Sequence, residues 1–76
     1  MGQLGPTPQK KFVKFLKHLD WTFSRQKGSH KIYKKAGHSR FVMFPDEKEI
    51  EKSVIKTNLN NMGISVDEYH KILDDL

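Results

Sequence analysis

A histidine within a run of cations is the first feature of this sequence that could perform chemistry. The segment RQKGSHKIYKK, residues 25–35, sets Gly28, Ser29 and His30 among five Lys or Arg residues. Histidine is the side chain whose ordinary pKa lies nearest neutral pH, so it can take up and return a proton. A positioned base can remove the proton from a ribose 2′-hydroxyl, whose oxygen then attacks the neighbouring phosphorus. The segment therefore makes His30 a candidate for the catalytic group of metal-independent RNA cleavage.

The residues around His30 have properties that suit a phosphate. Gly28 lets main-chain N–H groups approach an anion closely, and Ser29 can donate a further hydrogen bond. Cations would stabilise the charge that develops on the phosphate. The cations of the segment are Arg25, Lys27, Lys31, Lys34 and Lys35, of which we expect Lys27 and Lys31 to lie nearest. The alternative is an ordinary turn, because Gly-Ser is common turn material and a histidine at a strand start is usually a half-exposed polar residue.

The other histidines and the carboxylates are weaker candidates. His38 falls in the next predicted turn and could carry a second proton only if it approached His30, whereas His18 and His70 fall on helix surfaces. Scattered histidines without a carboxylate at ligand spacing predict no metal site, and the absence of cysteine excludes cysteine-rich zinc sites. We expect no metal and no other cofactor. One group of acids agrees better with the charge bias of a helix start than with a metal nuclease; its members are Asp46, Glu47, Glu49 and Glu51.

The net charge of +5 is distributed unevenly along the 76 residues. Residues 1–45 hold ten Lys or Arg against one acid (+9), whereas residues 46–76 hold four Lys against eight acids (−4). A concentrated basic half is typical of a protein that binds a polyanion. No apolar run is long enough for a membrane span or for the core of a signal peptide. We therefore expect one cytoplasmic domain over residues 1–76, without membrane association, in which residues 1–6 form a loose lead-in.

The first element that must position His30 is an amphipathic helix. Its apolar residues follow helical spacing, with lysines on the other side; they are Phe12, Val13, Phe15, Leu16 and Leu19. The pattern predicts a helix over residues 8–19, with Thr7 as the N-cap and Pro8 as the first helical residue.

Three strands are expected to follow this helix. Apolar and polar residues alternate in the first, and turn residues separate all three; the strands span residues 21–25, 30–35 and 40–45. The turns at residues 27–29 and 36–39 are short, which favours an antiparallel meander. The pattern leaves open whether Ile32 or Tyr33 faces the core, and therefore which way His30 points, because residues 30 and 32 share a face.

The last part of the chain is predicted to be helical. Helical spacing begins after Pro45 and ends at Gly63, a good C-terminal stop, although Ser53 could instead cap a shorter helix that follows a loop. A Ser-x-x-Glu capping box at Ser65 opens a last helix through Leu73. The fold class is therefore α+β, in the order α-β-β-β-α with a final short helix, and helices cover one face of a three-stranded antiparallel sheet.

This order, combined with the basic first half, has the outline of a double-stranded RNA-binding domain. Such a module reads the shape of RNA through phosphates and 2′-hydroxyls. Three functions remain open from the residues alone. The chain could be a nuclease that uses His30, a non-catalytic RNA-binding module, or a protein-interaction domain whose basic face meets an acidic partner.

Two stretches together resemble the HicA family of toxin mRNA interferases, over about residues 10–73. The more specific stretch is the Gly28-Ser29-His30 turn with the residues on either side of it, RQK and KIY. The second is the helix-to-helix joint within VIKTNLNNMGISVDEY, residues 54–69.

The resemblance implies a toxin of a type II toxin–antitoxin pair. Such a toxin has a double-stranded RNA-binding-like fold, cleaves messenger RNA without a metal, and uses the histidine that is His30 here. A HicB-type antitoxin would cover its active face. Apart from the resemblance, we expect the free protein to be a monomer. One departure is Glu47, which stands where many members carry a histidine two residues after the proline that ends the third strand.

Overall fold

The protein, seen in a computed structural model that describes residues 4–76, contains three helices and five strands over that range. In chain order the elements are β1 (Thr7–Pro8), α1 (Gln9–His18), β2 (Thr22–Lys27), β3 (His30–Lys34), β4 (Val42–Pro45), β5 (Glu49–Ile50), α2 (Lys52–Met62) and α3 (Val66–Asp75). The predicted α+β fold is confirmed, with a three-stranded antiparallel sheet and an α-β-β-β-α order like that of a double-stranded RNA-binding domain. Of the predicted lead-in, residues 1–3 lie outside the described range. No helix within residues 4–76 has both the length and the apolar character needed to cross a bilayer.

Helix α1 buries one apolar side in the core and exposes its lysines. Phe12, Phe15 and Leu16 are fully buried, because residues three and four apart lie on the same side of a helix. The ring of Phe15 meets the ring of Tyr69 from α3 edge-on, at a centroid distance of 4.8 Å. The first and last helices are therefore joined through an aromatic contact in the core.

The predicted N-cap of α1 is wrong. Pro8 occupies the cap position without a side-chain hydrogen bond, and Thr7 pairs with Ile50 in a small two-stranded sheet. The hydroxyl of Thr7 is buried and shares a 2.9 Å hydrogen bond with the hydroxyl of Tyr69. Because a buried hydroxyl needs a partner, this contact holds the Thr7 side chain in the core and away from the start of the helix.

The three main strands form the predicted meander in the order β2-β3-β4. Strand β2 continues to Lys27, two residues beyond its predicted end, and has a bulge between Phe23 and Arg25. The turn after it contains Gly28 at a φ of +60°, a left-handed conformation that glycine adopts without the steric cost of a side chain. The β2–β3 hairpin therefore has the tight turn that the sequence predicts.

The pairing of β3 with β4 decides which way His30 points. Tyr33 lies opposite Val42, and both belong to the main core cluster. Ile32 lies opposite Met43 on the other face of the sheet. Because alternate residues of a strand share a face, His30 points to the face of Ile32, away from the main core.

The segment after β4 departs from the predicted helical start. Glu49 and Ile50 form β5, which pairs with β1, so this stretch is extended. Helix α2 begins at Lys52, and Ser53 is its second residue, not its cap. The pairing with the N-terminal segment was hidden from the sequence because two-residue strands carry almost no periodic pattern.

The two signals at the α2–α3 joint are confirmed. Gly63 ends α2 with a φ of +75°, in the left-handed region typical of a helix C-terminus. The main-chain N–H of Glu68 donates to the hydroxyl of Ser65 at 3.1 Å, as a helix cap requires. Helix α3 then continues to Asp75, two residues past its predicted end at Leu73.

Candidate functional site

His30 is the first residue of β3, at the mouth of the β2–β3 hairpin, and is half-buried. It lies in the wall of an open groove of about 310 Å³ between the sheet and α2. The sheet contributes His30, Met43 and Pro45 to the groove, and α2 contributes Ser53, Val54, Thr57 and Asn58. The imidazole is thus held by a strand and is reachable from solvent.

The turn before His30 is fixed at both of its ends. The side-chain amide of Gln26 donates to the carbonyl oxygen of Gly28 at 3.2 Å. The main-chain N–H of Asp46 donates to the carbonyl oxygen of Ser29 at 2.7 Å, so the loop after β4 is tied to the hairpin. A side chain at Gly28 would meet nothing within 4 Å, which leaves open space above the turn.

The predicted cations divide between the two faces of the sheet. Lys27 lies directly opposite His30 in the ladder, and Arg25 lies opposite Ile32, so both share the His30 face. Lys34 shares that face too, because it is four residues from His30 on the same strand. These three cations are exposed. The structure therefore brings Lys27 and His30 together across the strand pair.

Lys31 is directed to the other face of the sheet. Its ammonium group donates to the Gln9 side-chain oxygen at 2.7 Å and forms an ion pair with Asp46 at 3.4 Å. Lys35 is half-buried just after the end of β3. Of the two cations expected nearest the histidine, only Lys27 lies on its face.

A polar network around Gln9 supports the hairpin on the sheet face opposite His30. The sequence pattern did not predict this network. The Gln9 amide donates to the Asp46 carboxylate at 3.0 Å and to the Glu47 carbonyl oxygen at 2.7 Å. The hydrogen bond from Gln9 lowers the pKa of Asp46 below its usual value; burial opposes this shift, and the charge and hydrogen bond of Lys31 add to it. A glutamine and an aspartate 37 residues apart give no signal of this pairing in the sequence.

Asn58 is the second residue that sequence reasoning missed. Its oxygen accepts from the main-chain N–H of Met43 at 3.3 Å, and its NH₂ group donates to the Met43 oxygen at 3.0 Å and to the Val54 oxygen at 3.1 Å. Only 3% of its surface is exposed. The available signal was its position on the apolar side of α2, where an unpartnered amide would be costly.

The remaining histidines lie away from His30. His38 is in the turn after β3, beyond the end of that strand that is remote from His30; its ring lies 5.2 Å from that of Trp21. The structure thus does not bring it to His30 as a second proton carrier. His18 ends α1 and is exposed, and His70 lies in α3. Within residues 4–76, no group of three or more His, Cys, Asp or Glu side chains could hold a metal ion.

A second groove lies on the opposite side of the sheet. It is lined by side chains of α1 together with Lys31 and Tyr33, and four of its lining residues are lysines; these are Lys10, Lys14, Lys17 and Lys31. The first three recur at helical spacing and so lie on one side of α1. The positive charge of the first half of the chain is therefore presented on two separate surfaces.

Comparison with known proteins adds one finding. Residues 10–64 match a family model described as the HicA toxin of bacterial toxin–antitoxin systems. The matched range covers more than half of the 76 residues and includes the His30 hairpin, the loop after β4 and the whole of α2. A search of curated proteins found no match.

Proposed function

The chain belongs to the HicA family of toxins of bacterial toxin–antitoxin systems, and from this premise we propose that it is an endoribonuclease whose catalytic residue is His30. One observation carries the proposal. His30 is anchored at the start of a strand, lines an open groove, and faces Lys27 across the ladder. The substrate in this proposal is messenger RNA, and the site of action is the cytoplasm, where that substrate is found.

The reaction needs one group that first accepts a proton and then returns it. Neutral His30 removes the proton from a ribose 2′-hydroxyl, and the oxygen attacks the adjacent phosphorus. A 2′,3′-cyclic phosphate forms, the bond from phosphorus to the 5′ oxygen breaks, and the imidazolium gives its proton to that leaving oxygen. A positioned histidine contributes on the order of 10² to 10⁴ to the rate. No metal ion is required for these steps.

The charge that develops on the phosphate is stabilised by cations on the His30 face. Lys27 is closest in the ladder, and Arg25 and Lys34 lie on the same face. The open space above Gly28 lets the phosphate approach the main chain of the turn, and exposed Ser29 can donate a hydrogen bond. Fixed donors of this kind act without having to reorganise during the reaction.

Lys31 has a different part in this proposal. Its ammonium group is engaged by Gln9 and Asp46 on the other face, so it supports the loop that holds the hairpin turn. Lys35, just after β3, adds to the positive field around the RNA. The phosphate contacts are therefore assigned to Lys27 and its neighbours on the His30 face.

An antitoxin is the second partner in this proposal, as for a toxin of a toxin–antitoxin pair. The antitoxin, of HicB type, would block the enzyme by covering the His30 face. That face carries Met43, which lines the groove and is 42% exposed, and methionine is enriched at protein interfaces.

The proposal is tested by incubating RNA with the protein in excess chelator and by expressing the protein in growing cells. Wild type should shorten the RNA and arrest growth, whereas His30→Ala should lose at least about 100-fold in cleavage rate. The matched control is His18→Ala, which removes an exposed histidine at the end of α1. Equal cleavage by wild type and a folded His30→Ala variant would refute the assignment.

A second candidate function is a non-catalytic RNA-binding module. The observation that favours it is the lysine-lined groove beside α1, which could hold RNA without any contribution from His30. A salt-sensitive gel shift with intact RNA would support this function, because phosphate contacts release counterions.

A further inference from the structure

The groove beside His30 differs from the rest of the basic surface because its lining is almost free of charge. His30 is the only ionisable side chain among the seven residues that line it. A phosphate would gain little there, since the cations of this face lie along β2 and β3, outside the groove. The part of an RNA strand that suits this lining is an uncharged one, namely a nucleobase.

The size of the groove restricts its occupant further. Its volume of about 310 Å³ is at the small end of the range for ligand pockets, roughly 300 to 1,000 Å³. This volume is sufficient for one planar ring system. Because His30 forms part of the wall, a base in the groove would belong to a nucleotide beside the bond that His30 cleaves.

The walls of the groove are apolar where a flat ring would lie. The sheet contributes Met43 and Pro45, and α2 contributes Val54, which is half-buried. Met43 is 42% exposed, and the flexible thioether side chain of methionine adapts to irregular apolar surfaces. Both sides of the groove thus offer apolar surface to a base.

The polar groups of the groove differ in whether they are already engaged. The Asn58 amide already makes three hydrogen bonds to the main chain of Met43 and Val54, and the Thr57 hydroxyl donates to the Ser53 carbonyl oxygen at 3.0 Å. Over residues 4–76, no hydrogen bond engages the hydroxyl of Ser53, which is exposed in the first turn of α2. This hydroxyl can both donate and accept.

We propose that the groove binds the base of one nucleotide that flanks the scissile phosphate, and that the Ser53 hydroxyl reads the edge of that base. The inference rests on the proposed nuclease function and adds to it a specificity-determining residue. The enzyme would then cleave RNA with a base preference at one position. Shape and apolar contact would bind any base, and Ser53 would discriminate between bases. A base whose edge does not match the Ser53 hydroxyl would give up its hydrogen bond to water without gaining another.

The test uses short RNAs that carry a single cleavage site and vary at one flanking position at a time. Wild type should show unequal kcat/KM values at one position. Ser53→Ala should reduce the ratio between the best and the poorest base by about 5- to 10-fold, the size expected for one hydrogen bond. Ser53→Leu, which fills the groove, should raise KM for every base. The matched control is Ser39→Ala, in the exposed turn after β3, which should keep the wild-type ratios.

The outcomes separate this inference from the function on which it rests. If wild type cleaves through His30 but Ser53→Ala keeps the base preference of wild type and Ser53→Leu keeps its KM values, the groove assignment fails and the nuclease assignment stands. If folded wild type cleaves no RNA, both fail. Thermal unfolding of each variant, monitored by circular dichroism, confirms that the comparison is made between folded proteins.

Discussion

The side-chain amide of Asn58 closes the free edge of β4 by exchanging two hydrogen bonds with the main chain of Met43. Strand β4 is at the edge of the three-stranded sheet, and an open edge is a template for pairing with another chain. By satisfying this edge, Asn58 also holds α2 at the distance that forms the groove beside His30. One buried amide thus links the stability of the fold to the shape of the candidate site.

We expect Asn58→Ala to destabilise the protein by about 1 to 3 kcal/mol, because the N–H and carbonyl of Met43 would lose their partners at a partly buried edge. In a chain of this size each kcal/mol lowers the unfolding temperature by about 4 to 8 °C. The control is Asn60→Ala, an exposed asparagine on the same helix, which should change stability by less than about 0.5 kcal/mol. Thermal unfolding curves in which the two variants coincide would contradict this role of Asn58.

The sequence was sufficient to predict those parts of the fold that depend on local patterns. The amphipathic spacing of α1, the Gly28 turn and the Ser65 cap each arise from neighbouring residues, and each lies where it was expected. The same holds for His30, whose position at the mouth of the hairpin follows from the turn immediately before it.

The parts that could not be predicted depend on residues distant in the chain. The Thr7-Pro8 pair is typical of a helix start and so predicts a cap at Thr7. The actual partner of Thr7 is Tyr69, which is 62 residues away and gives no local signal. Lys31 was expected beside the histidine, but the side to which it points is set by the β3–β4 register and by Gln9. Spacing alone gives the alternation of faces along a strand and not the choice of which face is buried.

The second prediction is that the buried hydrogen bond between Thr7 and Tyr69 stabilises the fold by anchoring the N-terminal segment to α3. The phenol of Tyr69 is fully buried, and this burial raises its pKa above the usual value, while the hydrogen bond with Thr7 acts in the opposite direction. Thr7→Val and Tyr69→Phe should each cost about 1 to 3 kcal/mol, because each leaves one hydroxyl buried without a partner.

The double variant Thr7→Val/Tyr69→Phe should lose less than the sum of the two single variants, because neither unsatisfied hydroxyl then remains. Denaturant unfolding of the four proteins measures the coupling free energy. Strictly additive losses would show that the two hydroxyls do not act as a pair.

The third prediction concerns the stability of the protein at low pH. The hydrogen bond from Gln9 and the charge of Lys31 favour the ionised form of Asp46 in the folded protein, so its pKa is lower when folded than when unfolded. The stabilising contribution of this carboxylate is therefore complete above its usual pKa of 3.8 and is lost as the pH falls below that value. We expect the unfolding temperature of Asp46→Asn to fall less between pH 5 and about pH 2 than that of wild type.

The control for this acid dependence is Glu47→Gln, which removes a neighbouring negative charge from the same exposed loop. The Gln9 amide contacts Glu47 only through its main-chain oxygen, and that contact survives the substitution. An acid profile for Asp46→Asn that overlays the wild-type profile would be inconsistent with a stabilising role of this carboxylate.

The last prediction uses two lysines that carry the same charge on opposite faces of the sheet. Lys27 lies across the ladder from His30 and is exposed, whereas Lys31 is held by Gln9 and Asp46. If the phosphate is bound on the His30 face, Lys27→Ala should lower kcat/KM for RNA cleavage by about 10-fold or more, the cost of losing one charged hydrogen bond. The salt dependence of RNA binding should also weaken, by about 0.7 in the slope of log K against log salt.

Lys31→Ala removes the same formal charge but should lower stability more, and RNA binding less, than Lys27→Ala does. Its unfolding temperature should fall below that of Lys27→Ala, because the Gln9 and Asp46 contacts are lost. Its salt slope should stay closer to that of wild type, since the ammonium group points away from the His30 face. Cleavage assays, salt titrations and thermal unfolding on the two variants separate a phosphate ligand from a support of the loop. A larger loss of salt dependence in Lys31→Ala than in Lys27→Ala would move the RNA to the other face of the sheet, beside the lysines of α1.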